Sequence, residues 1–481
     1  MNVSRVPLII RGRVIESWDL EFGGRRGGSR FTTPDVRKHL DELPLARPSA
    51  LLDLYELSFE QILDYLAELG ERLSLRTNPH LQQAMELSLV TSGLTEGILR
   101  SCYETLGRVF DRRVVREMVE GTIGVRYLEG WVDTRTAEGY RAQMRAFGAR
   151  SVHIVAGNVP TVSALTIARN TVTRSDAIIK TPSNDPLTAA AIARTMVEMA
   201  PEHPITRHLT VAYWKGGDAE VEDVLYQPRN VEKIVAWGGF ASISHIARYI
   251  QPGIDLITLD PKLSSTIIGR EAFESESTMR EAAVALAHDV GAYNQEACLS
   301  ARVVYIETGT NAAGLAKANA FGRLVYEEIQ ELPQHVSGAA KELAPALAEE
   351  LEGLRFAPDY KLVAGGGPEG GAIVSQIPEP VEFAPLLANR IANLVPVDDM
   401  EIPVQSVTAY TQTIGVYPEQ LALKIRDRLA FHGAQRVVSL GYAANRVVAG
   451  PQDGIEPLRR MCKWILHESS DRKIRGMVSY G

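Results

Sequence analysis

Cys298 lies in NQEACLSARVVYIE, residues 294–307, between an amide-rich approach and a β-branched run. A cysteine thiolate can capture an acyl group and release the thiol that carried it. The same side chain is also a small hydrophobe, and packing is the commoner fate of a free cysteine. This stretch alone leaves both readings open. Three other stretches supply groups that could face a ligand: Asn158 in AGNVP, Lys180 at the end of DAIIK, and Gly238-Gly239 at the end of KIVAWGG. Each follows a short β-branched run, and parallel α/β sheets bind ligands beyond the carboxyl ends of their strands.

The surrounding pattern is one that could position them. From Val152 onward, strand-like runs (SVHIVAG, DAIIK, LTVAYW, KIVAWGG) alternate with helical ones (SALTIARNTV, PLTAAAIARTMVEMA, SISHIARYI), the signature of a parallel sheet with crossover helices. A second alternating series begins near Leu256, after QPGID, and contains TMREAAVALAHDVGAYNQ, ARVVYIE, NAAGLAKANAFGRLVYEEIQEL and AIVSQI. Upstream, Ser58 and Gln61 have capping-box spacing, and Phe59, Ile62, Leu63, Leu66, Leu69 and Leu73 form one apolar stripe, which predicts a core helix. The expected organisation is an amino-terminal extension over 1–48, a cofactor-binding unit over 49–255, a catalytic unit over 256–430, and a carboxyl-terminal segment over 431–481 that packs back on the core. In that last segment RVVSLGY reads as a strand, PQDG as a turn and EPLRRMCKWILHES as a closing helix. FGGRRGGSR reads as a solvated surface loop, with contact to a phosphate-bearing substrate as the other reading.

Composition narrows the function classes. The 481 residues are 45% hydrophobic and 23% charged, ordinary for a globular protein of several domain-sized units. The formal charge of −8 offers no basic excess for nucleic acid or an acidic membrane surface, so a small-molecule partner is expected. Arg11 and Arg13 interrupt the apolar run near the amino terminus, and no run approaches the roughly 18 apolar residues of a membrane span, so the expected location is cytoplasmic. Cys102, Cys298 and Cys462 form no CxxC pair, and the histidines at 153, 245, 288, 335 and 432 show no ligand spacing, so neither disulfides nor a metal site is expected. Cys102 and Cys462 read as packing.

Taken together, AGNVP, IIKTPSNDP, VAWGG and NQEACLS occur in the order and approximate separations of the aldehyde dehydrogenase superfamily. The chain resembles its acyl-CoA reductase branch, the LuxC type, over roughly residues 50–460. The resemblance implies an α/β, aldehyde dehydrogenase-like fold with a Rossmann-type cofactor domain and an α/β catalytic domain. It implies Cys298 as nucleophile, with the Asn158 amide and the Cys298 backbone N–H as donors to the oxyanion. It further implies Lys180 at the adenosine ribose and Gly238-Gly239 at the pyrophosphate, where a helix amino terminus favours negative charge. NAD-preferring relatives usually carry Glu three residues after the lysine. Here that position is Ser183, which leaves room for a 2′-phosphate and points to NADPH.

Where hydrolysing members have Glu-Leu-Gly-Gly-Lys, this chain has TLDPK, placing Thr258 at the general base and Lys262 at the lysine, with Asp260 as the alternative carboxylate. Without a general base, water attack on an acyl-enzyme should be slow. The family's glutamate that touches the nicotinamide ribose has no clear counterpart here, and Glu401 in DDMEIPV is the candidate for it. The expected reaction is therefore NADPH-dependent reduction of a long-chain acyl-CoA or acyl-protein thioester to the aldehyde, through an acyl group on Cys298. The alternative is a cysteine-dependent acyltransferase or thioesterase without redox chemistry. Homo-oligomerisation through a hairpin in YLEGWVDTRTAEGY is a further expectation from the resemblance, as is a partner protein that transfers the acyl group.

Overall fold

The computed structural model describes residues 3–23, 30–135, 141–259, 262–445 and 447–469. Its centre is a seven-stranded sheet in the spatial order Asp255–Leu259, Lys233–Trp237, Arg150–Ile154, Asp176–Lys180, Leu209–Ala212, Leu8–Ile10 and Arg13–Ile15. The first five strands run parallel, and the last two are antiparallel additions from the amino terminus. The chain passes from Arg150–Ile154 outward through Asp176–Lys180 to Leu209–Ala212, then returns to the other side of Arg150–Ile154 at Lys233–Trp237. That reversal is the switch point where an open α/β sheet leaves a crevice beyond its carboxyl edge.

Both faces of this sheet are covered, which is why its strands read as almost continuous apolar runs. Ala177, Ile179, Leu209 and Val211 pack with the helices of one side, including Phe59–Arg72 and Thr161–Val172. Val152, Ile154, Ile178 and Ala236 point to the opposite layer beneath Ala219–Leu225 and Phe240–Ala247, as a period of two requires. Helix Phe59–Arg72 starts where its sequence says it should. The Ser58 side chain accepts from the Gln61 N–H, and the Gln61 side chain accepts from the Ser58 N–H. Phe59, Ile62, Leu63, Leu66 and Leu69 are then all buried, each stabilising the fold by roughly 1.5–3 kcal/mol relative to exposure.

A second seven-stranded sheet has the order Tyr360–Gly367, Gly370–Ser375, Ile391–Pro396, Ala301–Ile306, Leu263–Ile268, Thr411–Tyr417 and Arg436–Ser439, parallel except for the first strand. Helices Glu276–Gly291 and Ala312–Gln330 contribute Ala283, Leu286, Phe321 and Val325 to its core.

The expected closing helix is corrected by the structure. Only Pro457–Met461 is helical, and Lys463–Ser469 is a strand that pairs antiparallel with Arg141–Phe147. The unpaired edge of Arg141–Phe147 offered this segment hydrogen bonds that local propensity could not foresee. Val132–Arg135 pairs on the other side, completing a three-stranded sheet whose connecting residues 136–140 lie outside the described set, as do residues 24–29 of the glycine- and arginine-rich loop.

Candidate functional site

Cys298 is partly buried and precedes strand Ala301–Ile306, at the amino-terminal edge of the second sheet. The backbone leading to it is unusual: Tyr293, Asn294 and Gln295 have φ of 53°, 51° and 64°, three successive left-handed residues without a glycine. Side chains at such φ cost on the order of 1 kcal/mol each and persist only when the surroundings impose them. Here the two amides impose them. Gln295 Nε2 donates to the carbonyls of Ala301 at 2.7 Å and Ile391 at 2.9 Å, while its Oε1 accepts from the Ile391 N–H at 3.0 Å. Asn294 Oδ1 accepts from the Gly338 N–H at 2.9 Å. The neighbouring parallel strands fix the other side, because Ser264 Oγ donates to the Cys298 carbonyl at 2.7 Å and accepts from the Thr413 N–H at 3.1 Å.

Around the sulfur, Gln412 Nε2 lies 3.1 Å from Cys298 Sγ and 2.6 Å from Asp453 Oδ1. Arg302 lies within electrostatic range: burial pushes its guanidinium down, whereas Cys298 and Glu296 favour its charged form. Its Nε donates to the Leu387 carbonyl at 2.7 Å, and its buried Nη1 has no hydrogen-bond partner among the described residues. Sequence reasoning missed Ser264, Arg302, Gln412 and Asp453. Their signal is spatial, since strands Leu263–Ile268 and Thr411–Tyr417 are neighbours only in the sheet. Cys102 and Cys462 are buried, and burial pushes each thiol up to about 12, so neither is a nucleophile near neutral pH.

The other sequence-predicted residues lie at the carboxyl edge of the first sheet. Asn158 follows strand Arg150–Ile154, and its Nδ2 donates to the Glu296 carbonyl at 3.3 Å, two residues before Cys298. The carboxyl edge of one sheet and the amino edge of the other therefore meet at Asn158 and the cysteine loop. On one side of Asn158, Gly239 caps helix Phe240–Ala247, and a Cβ at Gly239 would meet nothing within 4 Å, so the turn is open to a ligand. A Cβ at Gly238 would sit 3.2 Å from the Ser242 side chain. On the other side, Lys180 ends strand Asp176–Lys180 with its ammonium 5.7 Å from the ring centroids of both Tyr213 and Trp214. Burial lowers it to about 8, with Glu222 opposing the shift. The Lys180 ammonium makes no hydrogen bond or ion pair among the described residues, and Ser183 follows in a partly exposed turn. A recessed cation with unspent donors, flanked by an open glycine turn at a helix start, fits a phosphate-bearing dinucleotide.

Thr258 lies in the edge strand Asp255–Leu259, opposite Ala236, and Asp260 lies outside the described residues. Lys262 is buried and donates from Nζ to the Ala409 carbonyl at 2.8 Å. Glu401 is engaged by Arg428, which holds its carboxyl below the usual range. His153 is buried beside Ser151 Oγ at 3.0 Å, and burial pushes its imidazole down to about 4. Among the described residues no cluster of three or more potential metal ligands occurs, and no helix is long and apolar enough to cross a membrane. Two surface clefts, of about 230 and 710 Å³ beside Arg5 and Trp18, contain none of the residues around Cys298.

Comparison with known proteins bears on this arrangement. Among solved structures, lactaldehyde dehydrogenase from Escherichia coli superposes with a TM-score of 0.72 at 13% identity, covering 97% of this chain and 100% of that one. NADP-dependent glyceraldehyde-3-phosphate dehydrogenase from Bacillus halodurans, complexed with NADP, gives 0.71 at 12% identity, covering 98% and 99%. The fold is thus that of the aldehyde dehydrogenases. A long-chain acyl-protein thioester reductase from Photorhabdus luminescens is 33% identical over 359 residues, 73% of this chain and 70% of that protein. A protein of the same description from Vibrio harveyi is 23% identical over 470 residues, 96% of this chain and 93% of its own length. The acyl-CoA reductase (LuxC) family matches residues 54–464, and the chain belongs to that family.

Proposed function

We propose that the protein reduces a long-chain acyl thioester, carried on coenzyme A or on a protein, to the aldehyde with NADPH through an acyl group held on Cys298. The observation that carries this reading is the meeting of the Asn158 amide, 3.3 Å from the Glu296 carbonyl, with the loop that presents Cys298. The long acyl chain rests on the names of the relatives from Photorhabdus luminescens and Vibrio harveyi.

Cys298 attacks the acyl carbonyl, and the carbonyl oxygen gains negative charge that the Asn158 amide and the Cys298 backbone N–H are proposed to stabilise. The carrier leaves as a thiolate, and the acyl group remains on Sγ. Lys180 and the Gly238-Gly239 turn are proposed to hold the ribose and pyrophosphate of the nicotinamide cofactor, with Ser183 leaving room for a 2′-phosphate. When bound, that cofactor supplies hydride to the enzyme thioester. Asn158 then steadies the second oxyanion, and collapse of the resulting thiohemiacetal releases the aldehyde and frees Cys298.

The test is an intact-mass measurement after incubation with a long-chain acyl-CoA and no reductant. One acyl mass should appear, map to Cys298 and vanish in Cys298→Ala, and NADPH should discharge it as aldehyde. A full-yield adduct in Cys298→Ala would overturn the assignment.

A further inference from the structure

We propose that Gln412 is a second catalytic residue at the sulfur, and that Asp453 is the positioning residue that decides which end of the Gln412 amide meets Cys298. The proposal rests on reading Cys298 as the acyl acceptor. It starts from one nitrogen with two acceptors, since Gln412 Nε2 is 3.1 Å from Cys298 Sγ and 2.6 Å from Asp453 Oδ1. Gln412 is buried at 8% exposure and is the second residue of strand Thr411–Tyr417, so it has little freedom to look elsewhere.

A carboxamide can turn over with almost no change of shape, exchanging its oxygen for its nitrogen. An ionised carboxylate only accepts, so the end of Gln412 that faces Asp453 must be the NH₂. One hydrogen then goes to Asp453, and the other is left for the sulfur. The reversed amide would set its oxygen 2.6 Å from the Asp453 carboxylate oxygen, two acceptors in contact. Asp453 reaches this position from a left-handed turn, with φ of 53° followed by Gly454 at 77°. Aspartate tolerates that conformation better than most side chains.

A donor aimed at sulfur favours the thiolate over the thiol. It would act twice. When Sγ attacks, a sulfur–carbon bond forms, the bond to the carrier sulfur breaks, and the carrier thiolate takes a proton from solvent in place of the one Cys298 gave up. When the thiohemiacetal collapses, the same N–H receives the departing Cys298 sulfur. Asp453 also has an opposing effect, because its charge repels a thiolate. Substitution separates the two. Asp453→Asn keeps an acceptor for Gln412 and removes the charge, whereas Asp453→Gly removes both, and each tolerates a positive φ.

The experiment follows alkylation of Cys298 by iodoacetamide from pH 6 to 10 in the full chain, by intact mass and peptide mapping. In Gln412→Met the midpoint should rise by about one pH unit and the rate at pH 7 should fall about five- to tenfold. Asp453→Gly should react about threefold or more slowly than Asp453→Asn, and this difference should vanish in the Gln412→Met background, because Asp453 acts through Gln412. If Gln412→Met loses the native circular-dichroism spectrum, Gln412→Glu retains the volume and should raise the midpoint, since it replaces a donor by a like charge. An unmoved or lowered midpoint in the folded Gln412 variant, or equal rates for Asp453→Gly and Asp453→Asn in the native background, would overturn the proposal. Alkylation needs neither thioester nor nicotinamide. A protein that follows this pattern yet forms no acyl adduct would sink only the proposed reduction, and an adduct with an unmoved midpoint would sink only the role of Gln412.

Discussion

At the scale of single residues, the proposed chemistry concentrates on a few hydrogen bonds and one charge. Asn158 now spends its amide on the Glu296 carbonyl at 3.3 Å, a long bond that can be exchanged for a developing oxyanion. Asn158→Ala should lower turnover by about 10²–10³, roughly 2.7–4 kcal/mol, while leaving cofactor affinity nearly unchanged. Steady-state kinetics with a parallel cofactor titration checks this, and loss of folding without loss of rate per folded molecule would show a turn residue instead. Ser183 tests the proposed cofactor site. A carboxylate there would repel a 2′-phosphate and accept from ribose hydroxyls, so Ser183→Glu should shift preference from NADPH towards NADH by on the order of 1–3 kcal/mol. Catalytic efficiencies with both cofactors in both proteins give that ratio, and an unchanged ratio would put Ser183 away from the ribose.

At the scale of elements, the sites depend on how strand ends are tied down. Helix Glu276–Gly291 carries Asp289, whose Oδ2 accepts from the Gly441 N–H and Oδ1 from the Ala443 N–H, both at 2.9 Å. These bonds fasten the turn after strand Arg436–Ser439 to the helix that leads into the cysteine loop. Burial raises the Asp289 carboxyl to about 6 from 3.8, against the lowering effect of those two N–H groups. The native state therefore holds its proton at pH values where the unfolded state has released it. Stability from this group is present below about pH 4 and is lost as pH rises through about 6. Asp289→Asn should remove that slope, so the stability difference between wild type and variant should change by on the order of 1–3 kcal/mol between pH 4 and 7. Urea unfolding at several pH values measures it, and parallel curves would contradict the assignment. The same scale shows what sequence reading could and could not reach. The Ser58 capping box and its apolar stripe are local and periodic, so the helix was legible. KWILHES was not, because its strand exists only through the partner Arg141–Phe147.

At the scale of the whole molecule, one buried arginine joins segments far apart in the chain. Arg174 is 2% exposed, with its Nη1 donating to the Leu128 carbonyl at 2.6 Å and its Nε to the Leu54 carbonyl at 3.2 Å. Its Nη2 reaches the Leu57 carbonyl at 2.8 Å and Glu129 Oε1 at 2.6 Å. The amino-terminal helices, the segment before the three-stranded sheet and the start of strand Asp176–Lys180 are held by this single guanidinium. Arg174→Met keeps much of the volume but leaves several acceptors unmatched, so it should cost about 3–5 kcal/mol. Denaturant unfolding checks the figure, and a loss under about 1 kcal/mol would show that water or rearranged backbone replaces it.

Sequence alone determined the kinds of chemistry available and the order in which they arrive, because residue identity and local periodicity are properties of the chain itself. Asn158, Lys180 and Gly238-Gly239 stand out as candidates because they follow apolar runs, Cys298 stands out only through the resemblance of the ordered motifs, and the alternation of those runs pointed to parallel sheets. Only tertiary structure decided what stands beside the sulfur. Gln412 and Asp453 are 114 and 155 residues from Cys298 in sequence, and nothing local distinguishes them from a polar strand residue and a turn residue. Sheet order brings Thr411–Tyr417 near the cysteine loop, and the left-handed turn at Asp453 aims a carboxylate at the Gln412 amide. Such contacts arise because strand neighbours are chosen by packing across the whole core, and that choice leaves no periodic trace in the sequence around any one of them.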